Sequence, residues 1–348
     1  MAIERVLLAE PRGFCAGVEM AIKALAWMVR SFEPPVYCYH EIVHNKLIVE
    51  RFEREGVVFV DDIADVPKGR PIMLSAHGSA PEVVAAARER GSYVVDAVCP
   101  LVTKVHHEVR VRAGKGYRIV YVGHAGHEEA VGTMAVAPES ISRVENVADV
   151  GALPAFEGPV ALLAQTTLSH RDWGDVAVAV RDRFPDVWTP GRSDLCFATT
   201  NRQSSLLAVA DRCDAMIVIG SANSSNTMAL ERLARESRSK RVARINTADE
   251  IPDEVLARAR VVGVTAGASA PDEIVAEVIA RLDPRDGVEL VSVTDEDEYF
   301  PPPRNLRELQ SALGFAATSM LGGSLDRRPP MDDRALSASD VLAALAGA

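Results

Sequence analysis

The stretch Asp96–Lys104, DAVCPLVTK, decides how the rest of the chain reads, because its Cys99 stands where a β-like run, Tyr93–Val95, gives way to a helix-like run, Pro100–Arg112. A thiol at a helix N-terminus faces unpaired backbone N–H groups and the positive end of the helix dipole. Both favour thiolate, the form that attacks or ligates metal. The arrangement occurs twice more, around Cys15 in ERVLLAEPRGFCAGVEMAIKAL and around Cys196 in SDLCFATTNRQSSLLAVA. Each cysteine is followed by two further apolar runs that end in polar turns. The first turns are HEIVHN, GHAGHEE and GSANSSN, with 29 positions from Cys15 to His44 and 28 both from Cys99 to His127 and from Cys196 to Ser224. The second are SAHGSAPE, QTTLSHRD and TAGASAPDE, reached after 62 (His77), 67 (Thr166) and 73 (Ser269) positions. The chain therefore reads as three related α/β units, each delivering one thiol and two polar turns to a common centre.

Taken in order, alternation of strand-like and helix-like runs predicts right-handed crossovers and parallel sheets. Ligands of such sheets bind beyond the carboxyl ends of the strands, where all nine turns lie. The predicted units are 16–98, 99–193 and 194–283, the last completed by the N-terminal strand in 1–15. Residues 284–348 are acidic and proline-rich and read as a largely disordered extension, with Ala338–Ala346 as a short helix; no chemistry is assigned to them.

Composition narrows the function. The 348 residues suffice for two or three domains, and no apolar stretch approaches the roughly 20 residues of a membrane span. With no signal-peptide pattern at the N-terminus, a cytoplasmic protein is expected. A net charge of −11 argues against extended nucleic-acid binding. Five widely spaced cysteines do not suggest a disulfide framework, which leaves metal or redox chemistry.

Three converging thiolates suit a soft metal. A cubane [4Fe–4S] cluster would keep one iron without a protein ligand, open to substrate, and Zn²⁺ held by three cysteines and water is the competing reading. Cys38, inside a strand, and Cys213, just before one, read as ordinary buried thiols. Of the eight histidines, His40, His106, His107, His124 and His170 read as structural or solvated, whereas His44, His77 and His127 share the turns beside the cysteines. With Thr166, Thr167, Ser224, Ser225, Asn226 and Ser269 they make a donor-rich pocket with almost no Lys or Arg. Such a pocket suits a diphosphate held by many short hydrogen bonds. Glu128 and Glu129 are the carboxylates of interest, since a desolvated Glu becomes a proton donor near neutral pH.

The ordered motifs GFCAGV, EIVHN, SAHGS, CPLV, GHxGHxE, QTTLS, CxATxNRQ, GSxNSSN and GASAPD, spanning Val6 to Leu282, resemble those of the 4-hydroxy-3-methylbut-2-enyl diphosphate reductases, the LytB/IspH family. The resemblance implies a trefoil-like arrangement of three α/β units around a [4Fe–4S] cluster, one per subunit. The implied reaction is reductive dehydroxylation of an allylic diphosphate to isopentenyl and dimethylallyl diphosphates. It implies Cys15, Cys99 and Cys196 as cluster ligands, and His44, His77, His127, Ser224, Ser225, Asn226 and Ser269 as the diphosphate cage. Glu129 is implied as proton donor with Thr166 beside it, and a ferredoxin or flavodoxin as electron source. Two departures stand out: Glu128 occupies a position where many members carry proline, and the segment after Arg304 exceeds the family's usual end. Glu128 is expected to point away from the pocket. A redox sensor that kept the cluster without turnover, and a zinc hydrolase using Glu129, are the alternatives from other classes.

Overall fold

Apolar runs such as PIML, VALLA and AMIVI are buried at every position, which is the pattern of parallel strands covered by helices on both faces. The computed structural model describes residues 3–238, 241–320 and 333–346. β1 (Arg5–Glu10) opens the chain, followed by α1 (Ala16–Ser31). β2 (Val36–Tyr39), α2 (Lys46–Arg54), β3 (Val57–Val60), β4 (Pro71–Leu74), α3 (Pro81–Arg90) and β5 (Tyr93–Asp96) build the first sheet, in strand order β3-β2-β4-β5. α4 (Pro100–Gly114) crosses to β6 (Arg118–Val122), α5 (Glu128–Ala135), β7 (Ile141–Val144), α6 (Val147–Ala152) and β8 (Val160–Ala164), a sheet of order β7-β6-β8. After α7 (His170–Arg183) and α8 (Phe197–Ala210) come β9 (Ala215–Ile219), α9 (Ser225–Glu236), β10 (Val242–Ile245), α10 (Asp253–Leu256), β11 (Val261–Ala266), α11 (Asp272–Leu282) and β12 (Val288–Ser292). The third sheet has the order β10-β9-β11-β1-β12. Every pairing among the described strands is parallel. No described helix is long and apolar enough to cross a membrane.

The three sheets share one plan: an edge strand, a middle strand, an inner strand, then the segment that leads to a cysteine. In the second sheet that last segment shrinks to a parallel bridge between Ala161 and Trp188. Backbone bonds repeat with the plan. The residue after each middle strand donates its N–H to the end of the edge strand, His40 to Val60 (2.8 Å), Gly123 to Val144 (3.0 Å) and Gly220 to Ile245 (2.8 Å). The short edge strands β7 and β10, with an arginine in each, carry too little apolar pattern to be read from sequence. Helix starts are capped by side chains: Asn45 accepts from Leu47 and Ile48 at α2, and Ser169 from Asp172 at α7, each such cap contributing about 1 kcal/mol.

The C-terminal region corrects an expectation. Within 284–348 the described residues are ordered: β12 pairs with β1, and α12 (Arg304–Met320) and α13 (Ala338–Ala346) follow. Leu306, Ala338, Leu342 and Leu345 are buried in the core cluster that holds Leu25 and Met28 of α1. Glu19 accepts the N–H of Ala338 at 2.7 Å, and the buried Lys23 donates to the Asp333 and Leu336 carbonyls. Acidic and proline-rich composition masked this packing, because four apolar contacts spaced as helical stripes suffice once α1 offers a matching face. The expected disorder of 321–332 lies outside the described residues.

Candidate active site and metal centre

Cys15, Cys99 and Cys196 are the N-cap residues of α1, α4 and α8. Each donates its own N–H to the second polar turn of a unit: Cys15 to the Ala268 carbonyl (3.1 Å), Cys99 to Ala76 (3.0 Å) and Cys196 to Thr166 (3.0 Å). The sulfurs face helix N–H groups, those of Gly17 and Val18 for Cys15 and of Leu101 and Val102 for Cys99. Cys196 Sγ lies 3.2 Å from the Thr199 N and 2.9 Å from its Oγ1. Gly17 is what permits the approach, since a Cβ there would stand 2.9 Å from Cys99 Sγ and 3.9 Å from Cys15 Sγ.

Electrostatics in the pocket reverse one expectation. Burial raises all three thiol pKa values, Cys196 to about 11 with Cys15 adding to the rise, and Cys99 further by burial and then Cys15. At Cys99 and Cys196, desolvation and the neighbouring Cys15 outweigh the helix N–H groups. Among the described residues, the one set of three ligating side chains whose ligand atoms all fall within 4.8 Å of one another is His44, His77 and Glu128. Three soft thiol donors beside one cavity suit an iron–sulfur cluster or a zinc ion.

A cavity of about 110 Å³ lies between the units, where one water needs about 10–15 Å³. Cys15, Cys99, Cys196, His44, His77, His127, Glu129, Thr166, Thr167, Ser224, Ser225, Asn226 and Ser269 all line it. His44 stacks on His77, ring centres 4.0 Å apart, and His127 stands edge-on to both at 5.4 and 6.1 Å. His127 Nδ1 accepts the Glu129 N–H at 3.2 Å, which leaves its other nitrogen to carry a proton. Burial, then the neighbouring imidazoles, lowers His127 to about 3 and His77 well below the usual histidine range. These two rings are neutral N–H donors. Ser224 caps α9 through Thr227 N, and Ser269 donates to the His44 carbonyl at 2.9 Å. Both amide atoms of Asn226 are buried without a hydrogen-bond partner, a costly state unless a ligand supplies one.

Glu129 is 2 % exposed. Its carboxylate accepts the Thr166 N–H at 2.7 Å and the Thr166 hydroxyl at 2.8 Å. Burial nonetheless raises its pKa to about 7, so half of it is acid at neutral pH, as a general acid requires.

Three features escaped sequence reasoning. The side chains of Glu128 and Glu129 diverge, but Glu128 is not idle: its Oε2 lies 3.9 Å from His77 Nε2 and its Oε1 3.9 Å from His40 Nδ1. As the first two residues of a helix, both glutamates can reach a site at its N-terminus. Phe197 and Phe300 line the cavity, their rings 6.5 Å apart, so the C-terminal region does contribute to the site. His124, read as structural, has its Nδ1 3.4 Å from Ser225 Oγ. Cys38 and Cys213 do not line the cavity: Cys38 is buried in β2 and Cys213 packs against Ala210 and Met216.

Comparison with known proteins agrees with this geometry. A sequence profile of the LytB protein family matches residues 6–283. The 4-hydroxy-3-methylbut-2-enyl diphosphate reductase of Rhodopirellula baltica is 44% identical over 306 residues, 87% of this chain and 96% of that protein. The enzyme of the same name from Paracoccus denitrificans is 45% identical over 305 residues, 86% and 96%. The solved structure of the E-1-hydroxy-2-methyl-but-2-enyl-4-diphosphate reductase from Plasmodium falciparum superimposes with a TM-score of 0.85 at 31% identity, covering 90% of this chain and all of the other.

Proposed function

Because the chain belongs to the LytB family, we propose that it is a cytoplasmic enzyme that reduces (E)-4-hydroxy-3-methylbut-2-enyl diphosphate to isopentenyl and dimethylallyl diphosphates, the last step of the methylerythritol phosphate route to isoprenoids. The observation that carries this is the convergence on one cavity of three N-capping thiols, a histidine and hydroxyl cage, and a buried carboxylate poised near neutrality. The assignment of 16–98, 99–193 and 194–283 as units, the last completed by the N-terminal strand in 1–15, belongs to the same proposal. A [4Fe–4S] cluster, one per subunit, held by Cys15, Cys99 and Cys196 would supply electrons and one iron without a protein ligand.

The chain's own residues then have defined tasks. His44, His77, His127, Ser224, Ser225, Asn226 and Ser269 hold the diphosphate through neutral donors, which anchors the allylic chain and fixes its hydroxyl end. Glu129 holds a proton in hydrogen-bond reach of the Thr166 hydroxyl and delivers it to the departing oxygen directly or through Thr166. The C–O bond breaks as two electrons and two protons enter, one proton leaving in water and the other ending on carbon. Protonation at either end of the allyl fragment gives the two products. Phe197 and Phe300 add apolar lining to the cavity, which limits bulk water there. The electrons come one at a time from a ferredoxin or flavodoxin.

The test is an anaerobic assay of the purified protein with a chemical reductant and the allylic diphosphate. Brown protein absorbing near 400 nm that yields both products supports the reading; colourless, zinc-containing protein, or brown protein without turnover, would refute it in favour of the hydrolase or the sensor.

A further inference from the structure

Arg202 is the largest of the fully buried side chains among the described residues. It lies on α8 within two turns of Cys196, and its guanidinium is fully bonded. Nε and Nη2 donate to the Gly13 carbonyl at 3.0 and 2.7 Å, and Nη2 also reaches the Phe14 carbonyl at 3.0 Å. Nη1 donates to Ala198 at 3.0 Å and to both carboxylate oxygens of Glu296 at 3.0 and 3.1 Å. Asn201 Nδ2 adds a 3.0 Å bond to Glu296. One cation thus joins the loop just before Cys15, the helix behind Cys196 and a carboxylate from the segment that carries Phe300.

Stability alone does not account for such a pair. Removing two charges from water costs several kcal/mol per ion, and replacing a buried pair with apolar groups is often neutral or stabilising. Its location suggests another use. The charges sit beside the thiol centre: the guanidinium holds the carbonyls of Gly13 and Phe14, the two residues before Cys15, and of Ala198, the second residue after Cys196, and Glu296 lies on the same guanidinium.

We infer that Arg202 and Glu296 are positioning residues that together set the electron affinity of the centre at Cys15, Cys99 and Cys196 and latch the C-terminal segment beside it. This rests on the reading of those cysteines as ligands of an iron–sulfur cluster. Reduction adds negative charge to a buried site, so a fixed cation next to it raises the reduction potential and a fixed anion lowers it. Glu296 partly cancels Arg202, and the balance of the two tunes the centre as outer partners tune other metal sites.

The experiment is a reductive titration of the anaerobically purified full-length protein, followed by electron paramagnetic resonance, on wild type, Glu296→Gln, Arg202→Gln and the double variant. Iron and sulfide content is measured for each. Glu296→Gln leaves the guanidinium bonded to Gly13, Phe14 and Ala198, so iron content stays at the wild-type level while the midpoint potential shifts upward. Arg202→Gln shifts it downward, and the double variant falls near wild type, because the two opposite charges are removed together. If Arg202→Gln loses its iron, Glu296→Gln alone decides. A Glu296→Gln midpoint equal to or below wild type, with full iron content, overturns the proposal; a lowered melting temperature with an unmoved potential is that same result. A wild-type protein without iron and sulfide overturns the cluster reading first, and the two failures are told apart by that control.

Discussion

With its carboxyl held near neutrality by burial, Glu129 is half protonated at about pH 7, so turnover is expected to fall as pH rises through that value and the acid form is lost. The same shift has a consequence for folding. The native state keeps a proton that the unfolded chain releases in the ordinary carboxylate range, so this group's contribution to stability declines as pH rises from that range to about 7 and is level above it. Glu129→Gln keeps the shape and removes the transferable proton: it should retain iron and substrate affinity, lose at least roughly a hundredfold in turnover, and flatten the pH profile. Glu128 is now expected to matter in another way. Its carboxylate stands 3.9 Å from His77 Nε2, in the cage assigned to a polyanion, and like charges a few ångströms apart repel appreciably even at an effective dielectric near 20. Glu128→Gln should therefore tighten inorganic diphosphate binding by about tenfold, read by calorimetry, with turnover at saturation little changed; weaker binding would show that the carboxylate supports His77 instead. The two roles were only half legible beforehand. Adjacent positions diverge, which sequence implies, but where Glu128 ends up depends on its rotamer and on His40 and His77 arriving from another unit.

At the scale of elements, the three cysteine turns were readable because spacing records them directly: an extended segment, a cap residue and a helix follow one another within a short stretch, although before Cys196 the segment is only a single bridge at Trp188. What spacing does not record is how the caps meet. Gly17 looks like one more small residue in GFCAGV, yet its missing Cβ is the gap into which Cys99 Sγ projects. Gly17→Ala is accordingly predicted to lower iron content sharply while leaving a folded protein, measured by iron and sulfide analysis beside circular dichroism. Serine in place of Cys15, Cys99 or Cys196 should remove most iron and all turnover, a hard hydroxyl being a poor substitute for thiolate; Cys38→Ser and Cys213→Ser should keep both. Retained iron in Cys15→Ser beside its loss in Cys38→Ser would reject the three-turn argument. Sequence also missed β7, β10 and β12, all edge strands, whose pairing is decided by a neighbour and not by their own pattern.

For the whole molecule, the three-sheet plan was visible as repetition, whereas the C-terminal helices were not, since their apolar stripes mean little without the face of α1 that receives them. Removing residues 304–348 uncovers the core around Leu25 and Met28. Burial of a leucine contributes about 1.5–3 kcal/mol, and Leu306, Leu342 and Leu345 are all buried, so the truncated protein should melt at least several degrees lower by calorimetry; an unchanged melting curve would show that the helices rest on the surface without stabilising it. One further feature bears on how the molecule comes into being. β1, the first strand of the chain, is interior to the third sheet, flanked by β11 and β12. Synthesis at ~5–20 residues per second leaves RVLLAE without its neighbours for roughly ten to sixty seconds after it leaves the ribosome. Cys15 is thus made well before the strands that hold β1 beside it, and the nascent chain has no complete centre to load until β11 and β12 have emerged.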